Sequence, residues 1–338
     1  MKKTYGFALI GCGAIARMHS DVVANIDNAK MVGVYDTAYA YAEKFAEERG
    51  CKAFADLDEM LACPEIDIVS ICTPSGLHAP LAVKVANAKK HLIIEKPMGI
   101  THEQTDAIIE AVERNQVKAE VITQMRFTHS IRTLKDAIDK GLLGKILLAD
   151  FKMKYYRSPE YYSVGWRGTW DMDGGGALMN QGVHGIDLIQ YLMGGVKSVY
   201  ADCRTMARDI EVEDTANLLL EYNNGAIGVI QATTVAEPGY PRKLEVHGER
   251  GTVVVQEDAI SVWDVKGMEK PDFGVSSVNS GGSAMDFSWE YHKLQFLDLM
   301  EAIEEDRATM VDVYEGKKPV DIILAAYESS RTGKKIFL

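Results

Sequence analysis

Residues 5–16 read YGFALIGCGAIA. Tyr5–Ile10 is an apolar strand, and Gly11-Cys12-Gly13-Ala14-Ile15-Ala16 turns the chain into a helix. On that helix Ile15, Met18, Val22 and Ile26 recur at helical spacing. Gly11 permits the tight turn, Gly13 lets the main chain approach a pyrophosphate, and the small Ala16 lets helix and strand pack closely. The helix N-terminus then offers N–H groups and positive potential to phosphates. A lone glycine motif is weak. Here a strand precedes it, a helix follows it, and Asp36 ends a second strand, Lys30–Tyr35, about 20 residues beyond it. A carboxylate there accepts hydrogen bonds from a ribose diol and repels a 2′-phosphate, which favours NAD over NADP.

The same stretch admits a competing reading. Lys2 and Lys3 precede the apolar run, and Leu9-Ile10-Gly11-Cys12 has the form of a lipidation box. That reading fails on three counts. The run is at the short limit for a signal peptide. Cleavage at Cys12 would remove the first strand and half of the glycine motif. An amphipathic helix, not a polar tether, follows.

Outward from the motif, the pattern is strand alternating with helix. Ile66–Cys72, His91–Ile94 and Val117–Gln124 read as strands, and Pro80–Ala88 as a helix. A capping box at Thr101 and Gln104 opens another helix running to Asn115. Short apolar strands separated by helices predict a parallel sheet covered on both faces. The pattern ends near Met125. Beyond it, Lys145–Arg157, Lys197–Met206, Asp214–Tyr222, Gly225–Val235, Arg242–His247, Gly251–Gln256 and Ala259–Val265 read as strands joined by tight turns, which predicts an antiparallel sheet. Helices are expected at Ile131–Lys140, Ala177–Leu192, Trp289–Asp306 and Asp321–Thr332, and a mobile loop over Pro271–Gly282. The expected fold is α/β: a doubly wound domain over 1–125, then an α+β domain over 126–338, with the active site between them.

The length of 338 residues suits two domains. A net charge of −12 argues against nucleic acid or an anionic membrane as partner. The five cysteines form no C-x-x-C pair, as expected of free thiols in a reducing, cytoplasmic compartment. No stretch approaches the length of a membrane span.

Three groups of residues can carry chemistry. Glu95-Lys96-Pro97 follows the strand His91–Ile94, and ligands bind at the carboxyl ends of such strands. A partly buried Lys96 there is suited to proton transfer; the plainer reading is a surface lysine. Asn180, His184 and Asp187 share one face of the helix after Gly174-Gly175-Gly176. His184 titrates near neutrality and can take a proton from an alcohol, with Asn180 orienting the substrate. The plainer reading is a core histidine bonded to Asp187. Asn is a poor metal ligand and no cysteine joins the group, so no metal is expected. Residues 152–171 crowd aromatics with charges, among them Tyr156, Arg157, Trp166, Arg167 and Asp171. Aromatic faces pack on sugar C–H surfaces, while Arg and Asp bond hydroxyls or carboxylates. The plainer reading is packing between subunits.

Together these marks resemble the Gfo/Idh/MocA family, named after glucose–fructose oxidoreductase and inositol dehydrogenase. The resemblance covers the whole chain. It rests on Gly11-x-Gly13-x-x-Ala16, Cys72-Thr73-Pro74-x-x-x-His78, Glu95-Lys96-Pro97, Gln124-Met125-Arg126-Phe127, and Gly174-Gly-Gly-Ala-Leu-Met-Asn180-x-x-x-His184-x-x-Asp187. It implies a Rossmann domain and a second domain built on a large, mostly antiparallel open sheet, whose free face forms homodimers or homotetramers. It implies hydride transfer between NAD and a secondary alcohol or ketone of a sugar, sugar acid or polyol. Lys96 and His184 become the catalytic pair. Gly11, Gly13, Ala14, Ile15, Asp36, Thr73, Pro74, His78, Glu95 and Gln124 become cofactor contacts. Asn180 stands where inositol dehydrogenase carries Asp, which tells against inositol as substrate. Ser75 replaces the family's usual Asn in the Thr-Pro loop. Arg126, Arg157 and Arg167 favour an acidic sugar. The rival readings are an NAD-using glycoside hydrolase and a non-catalytic NAD-binding regulator.

Overall fold

The computed structural model describes residues 3–271 and 289–338. The loop expected over Pro271–Gly282 lies, beyond Pro271, outside the described residues. The chain divides into two compact units. The first runs to Gln124 and also takes the chain from α8 (Trp289–Glu305) to Lys317. The second holds the rest.

The first unit contains β1 (Tyr5–Ile10), α1 (Ala14–Ala24), β2 (Ala29–Tyr35), α2 (Tyr39–Arg49), β3 (Lys52–Phe54), α3 (Leu57–Ala62), β4 (Ile68–Ile71), α4 (His78–Asn87), β5 (His91–Ile94), α5 (His102–Asn115) and β6 (Ala119–Val121). Its strands lie in the order β3-β2-β1-β4-β5-β6, every pair parallel. All of β1 and β4 is buried, because helices cover both faces. β3 spans only three residues, too few to show a period. α3 is announced by Asp56, whose carboxylate accepts from Glu59 N–H at 2.9 Å, a cap that sequence patterning overlooked.

The division at residue 126 needs correction for α8. Phe296, Leu299 and Met300 pack among Tyr5, Phe7, Val22, Ile68 and Ile93, and the Phe7 and Phe296 rings stack at 5.7 Å. This helix completes the core of the first unit. Its apolar stripe is visible in sequence, but the sheet it belongs to is not.

The second unit contains α6 (His129–Asp139), β7 (Ile146–Tyr156), a π-helical turn (Ala177–Gly182), α7 (Val183–Met193), β8 (Val196–Arg204), β9 (Thr215–Tyr222), β10 (Ile227–Thr233), β11 (Val235–Gly248), β12 (Gly251–Gln256), β13 (Ala259–Val265) and β14 (Ile336–Phe337). α9 (Val313–Thr332) begins in the first unit and from Lys318 belongs to the second. Among the described residues the sheet order is β13-β12-β11-β7-β10-β9-β8-β14. Its pairs are antiparallel except β10 with β7. The expected single helix over Ala177–Leu192 is instead a π-turn leading into α7.

Candidate active site

The turn after β1 is tied to the end of β2. Asp36 Oδ2 accepts from Cys12 N–H at 3.0 Å and Oδ1 from Ala38 N–H at 2.9 Å. Gly11 has φ +90°, and a Cβ there would lie 2.8 Å from Cys72 O, so only glycine fits. At Gly13 a Cβ would meet nothing within 4 Å, and no side chain caps α1. An uncapped helix N-terminus beside open space suits a pyrophosphate. Two further positions expected to face the cofactor carry buried polar atoms with no hydrogen-bond partner, Thr73 Oγ1 and Gln124 Oε1. Buried orphans of this kind are rare in folded proteins and fit a missing ligand. The residues present therefore fit NAD.

Two expected cofactor contacts are placed differently. His78 is buried, with its ring nitrogens 2.7 Å from Pro97 O and 2.9 Å from Thr73 O. Burial lowers its pKa against the pull of those carbonyls. It braces the loop after β4 against the loop after β5. Glu95 is also buried. Its Oε1 pairs with His19 Nε2 at 2.9 Å, and its Oε2 accepts the Lys96 N–H at 3.1 Å. Burial opposes its charge, but His19 holds the carboxyl down at about 2. Burial likewise opposes charge on His19, yet Cys72 and Glu95 push it up to about 10. Glu95 thus anchors the main chain at Lys96 from beneath. His292 on α8 completes the cluster, its own pKa pulled down to about 4 by burial and by His19. The ligating atoms of His19, Glu95 and His292 lie within 4.8 Å of one another. Within that trio, His19 and Glu95 are hydrogen-bonded to each other. Lys96 itself is half-buried.

In the second unit, Asn180 lies in the π-turn and His184 in the first turn of α7, both half-buried. A π-turn inside a helix is common at functional sites. Asn180 Nδ2 donates to Asp173 Oδ1 at 2.7 Å, and its Oδ1 accepts from Gln181 Nε2 at 3.2 Å. Asp173 in turn accepts from Gly168 N–H at 3.0 Å. The histidine is not held by Asp187. Both Asp187 oxygens accept from Arg126, at 2.8 and 2.6 Å. This overturns the expectation that Arg126 binds substrate: it is 1% exposed, and its guanidinium is committed to Asp187. Sequence spacing showed the carboxylate and the cation but not their pairing.

The aromatic and cationic stretch forms a connected shelf. Arg167 lies 4.0 Å over the Tyr161 ring and 5.2 Å from that of Trp166. Arg157 lies 5.6 Å from the centre of the Tyr161 ring, and Arg208 5.3 Å from that of Tyr156. Tyr161 Oη accepts from Gln181 Nε2 at 3.0 Å, which links the shelf to Asn180. Among the described residues neither Arg157 nor Arg167 pairs with a carboxylate, and the Nε of each is buried without a partner. Asp171 is exposed. Tyr161, Gln181, Asp173 and Arg208 were not singled out in sequence; the density of aromatics around them was the available signal.

Comparison with known proteins agrees with this geometry. Residues 5–123 match the model described as an oxidoreductase family with NAD-binding Rossmann fold, and 131–254 match the GFO/IDH/MocA C-terminal domain. Myo-inositol 2-dehydrogenase of Thermotoga maritima is 28% identical over 271 residues, 77% of this chain and 78% of that protein. The NAD(+)-dependent scyllo-inositol 2-dehydrogenase of Bacillus subtilis is 25% identical over 98% of this chain and 95% of its own. Among solved structures, the WlbA dehydrogenase of Bordetella pertussis, in complex with NADH and UDP-GlcNAcA, is 32% identical. It has a TM-score of 0.88 and covers 100% of this chain and 99% of that one.

Proposed function

The chain belongs to the GFO/IDH/MocA family of oxidoreductases, and we propose that its substrate is a sugar acid. Its activity is that of an NAD-dependent sugar or polyol dehydrogenase, as for its relatives. Those relatives are dehydrogenases, so the hydrolase and regulator readings are not favoured.

The observation that carries the substrate proposal is the pair Arg157 and Arg167. Two cations without carboxylate partners, on an aromatic shelf joined to Asn180, suit an anionic sugar. UDP-GlcNAcA, bound by the similar WlbA dehydrogenase, is the first candidate. Gly11, Gly13, Ala14, Ile15, Asp36, Thr73 and Gln124 would hold NAD, which would supply the hydride acceptor. His184 takes the proton of the reacting hydroxyl. Lys96 donates a hydrogen bond to the same oxygen and stabilises the developing alkoxide. The two can exchange these roles. Asn180 orients the sugar, and Trp166 and Tyr156 offer apolar faces to its ring.

No helix among the described residues is long and apolar enough to cross a membrane. The five cysteines are all free, which fits the reducing cytoplasm. The second unit's sheet exposes Leu148, Tyr200, Leu219 and Ile227, with Tyr200 opposite Leu219 and Ile227 opposite Leu148 across the strands. Such a patch is suited to pairing with a second copy, as a homodimer or homotetramer. The substrate proposal is tested by NADH absorbance with aldoses, uronic acids, inositols and UDP-sugars offered singly. Turnover confined to acid-bearing sugars is expected. Turnover of inositols alone would contradict it.

A further inference from the structure

One buried carboxylate, outside every role assigned above, grips the start of the segment that carries Asn180 and His184. Glu213 is 4% exposed. Its Oε2 accepts from Gly176 N–H at 2.9 Å and its Oε1 from Leu178 N–H at 2.8 Å. Its main-chain oxygen accepts from the intervening Ala177 N–H at 2.9 Å. A single residue thus holds three successive amides. The first amides of a helical turn need acceptors, and no side chain of the segment itself caps this one. Tyr327 on α9 braces the clamp, its Oη donating to Glu213 Oε1 at 3.0 Å.

The glycines before the turn are explained by the same contacts. A Cβ on Gly176 would lie 1.7 Å from Glu213 O, and one on Gly175, at φ +155°, would lie 2.1 Å from Tyr327 Oη. Any side chain there would displace either the clamp or its brace.

We propose that Glu213, braced by Tyr327, is a positioning residue that places Asn180 and His184 for reaction, and that it does so as a carboxylate. The inference rests on the reading that assigns those two residues to the substrate. Its charge is what a glutamine cannot supply, since a neutral group turns one acceptor into a donor aimed at an amide or at Tyr327. Burial, the largest influence, pushes Glu213 up to about 7 against the amides and Tyr327 that favour its charge. The other titratable groups facing it are Tyr327 on α9, raised well above the usual range, and Cys203 on β8, pushed up to about 12. Both are neutral at pH 7. The π-turn presents only main-chain amides to it. Glu213 is therefore the group of this cluster whose charge changes near neutrality.

The test compares wild type, Glu213→Gln and Tyr327→Phe by amide hydrogen exchange over residues 174–184, corrected for the intrinsic pH dependence. The same three proteins are assayed for kcat and KM against pH with UDP-GlcNAcA and NAD. Protection of the Gly176–Leu178 amides is expected to fall in wild type as pH drops through about 7. In Tyr327→Phe that midpoint moves to higher pH, because a hydrogen bond favouring the anion is gone. In Glu213→Gln it disappears, and kcat falls at least about tenfold at pH 8 with KM for NAD unchanged. A merely structural clamp would change protection and stability while leaving the pH profile of kcat unmoved. Equal protection and equal pH midpoints in all three proteins would overturn the proposal, and Tyr327→Phe alone decides it if Glu213→Gln does not fold. Lys96→Met separates the two failures. Full turnover in that variant removes the catalytic reading, whereas an inactive Lys96→Met beside an unaltered Glu213→Gln removes only the clamp.

Discussion

Arg126 and Asp187 form a bidentate ion pair, Nε to Oδ2 at 2.8 Å and Nη2 to Oδ1 at 2.6 Å, with each side chain 1% exposed. The Tyr191 ring lies 4.5 Å from the guanidinium carbon. Removing one partner of such a pair strands a buried charge, at a cost of about 3–5 kcal/mol. Arg126→Ala is therefore expected to lower unfolding free energy by about that amount, measured by urea denaturation. Replacing both residues by apolar ones of similar volume is expected to cost less than either single change. A negligible loss on Arg126→Ala would mean that the pair does not hold α7.

Lys96 is the residue whose loss separates binding from chemistry. Lys96→Met is expected to reduce kcat by about 10²–10⁴. NADH binding, followed by fluorescence, should persist, because the glycine turn and Asp36 are untouched. Loss of both together would mean that Lys96 serves the cofactor site instead.

Arg157 and Arg167 should act through the substrate. A hydrogen bond to a charged group contributes about 1.5–3 kcal/mol, so Arg167→Gln is expected to raise KM for a sugar acid by about tenfold or more. KM for NAD should stay near its wild-type value. An equal rise for neutral and acidic sugars would point to loss of the Tyr161 stack rather than of charge recognition.

The His19–Glu95 pair sets a pH dependence of stability. Folding raises His19 from 6.5 to about 10, so its contribution is complete below pH 6.5 and is lost as pH rises through about 10. Folding lowers Glu95 from 4.5 to about 2, so its contribution is complete above pH 4.5 and is lost as pH falls toward about 2. Thermal unfolding of wild type and His19→Gln across pH 6 to 10 checks the first limb. Wild type is expected to lose stability with rising pH and the variant to stay flatter; parallel curves would contradict the pairing.

The exposed sheet face gives a prediction about assembly. Leu219 and Ile227 are 59% and 57% exposed. Wild type is expected to be an oligomer, and Leu219→Arg with Ile227→Glu a monomer, in light scattering after size exclusion. A wild-type monomer would contradict the proposed pairing.

The sequence was most legible where contacts are local. The glycine turn, the Thr101 cap and the alternation within the second sheet follow from neighbours a few residues apart. Thr101 does accept from Gln104 N–H, at 3.2 Å. What escaped sequence reasoning depends on residues far apart along the chain. The carboxylate at Glu95 was visible, but not that His19 lies against it. Arg126 looked like a substrate cation until Asp187 was found across from it. Nothing in residues 174–184 points to Glu213, because the acceptor that fixes their first amides arrives from the segment just before β9. α8 carried a clear apolar stripe, but a stripe does not reveal which sheet it covers.

Recognition of the carboxylate of a sugar acid, proposed for this dehydrogenase, can be tested directly. The most direct measurement compares kcat/KM for UDP-GlcNAcA and for UDP-GlcNAc, which keeps the diphosphate but lacks the sugar carboxylate, read as NADH absorbance with saturating NAD. A preference for the acid of at least about tenfold is expected, and it collapses in Arg157→Gln or Arg167→Gln. Equal or greater efficiency with UDP-GlcNAc would contradict recognition of the sugar carboxylate.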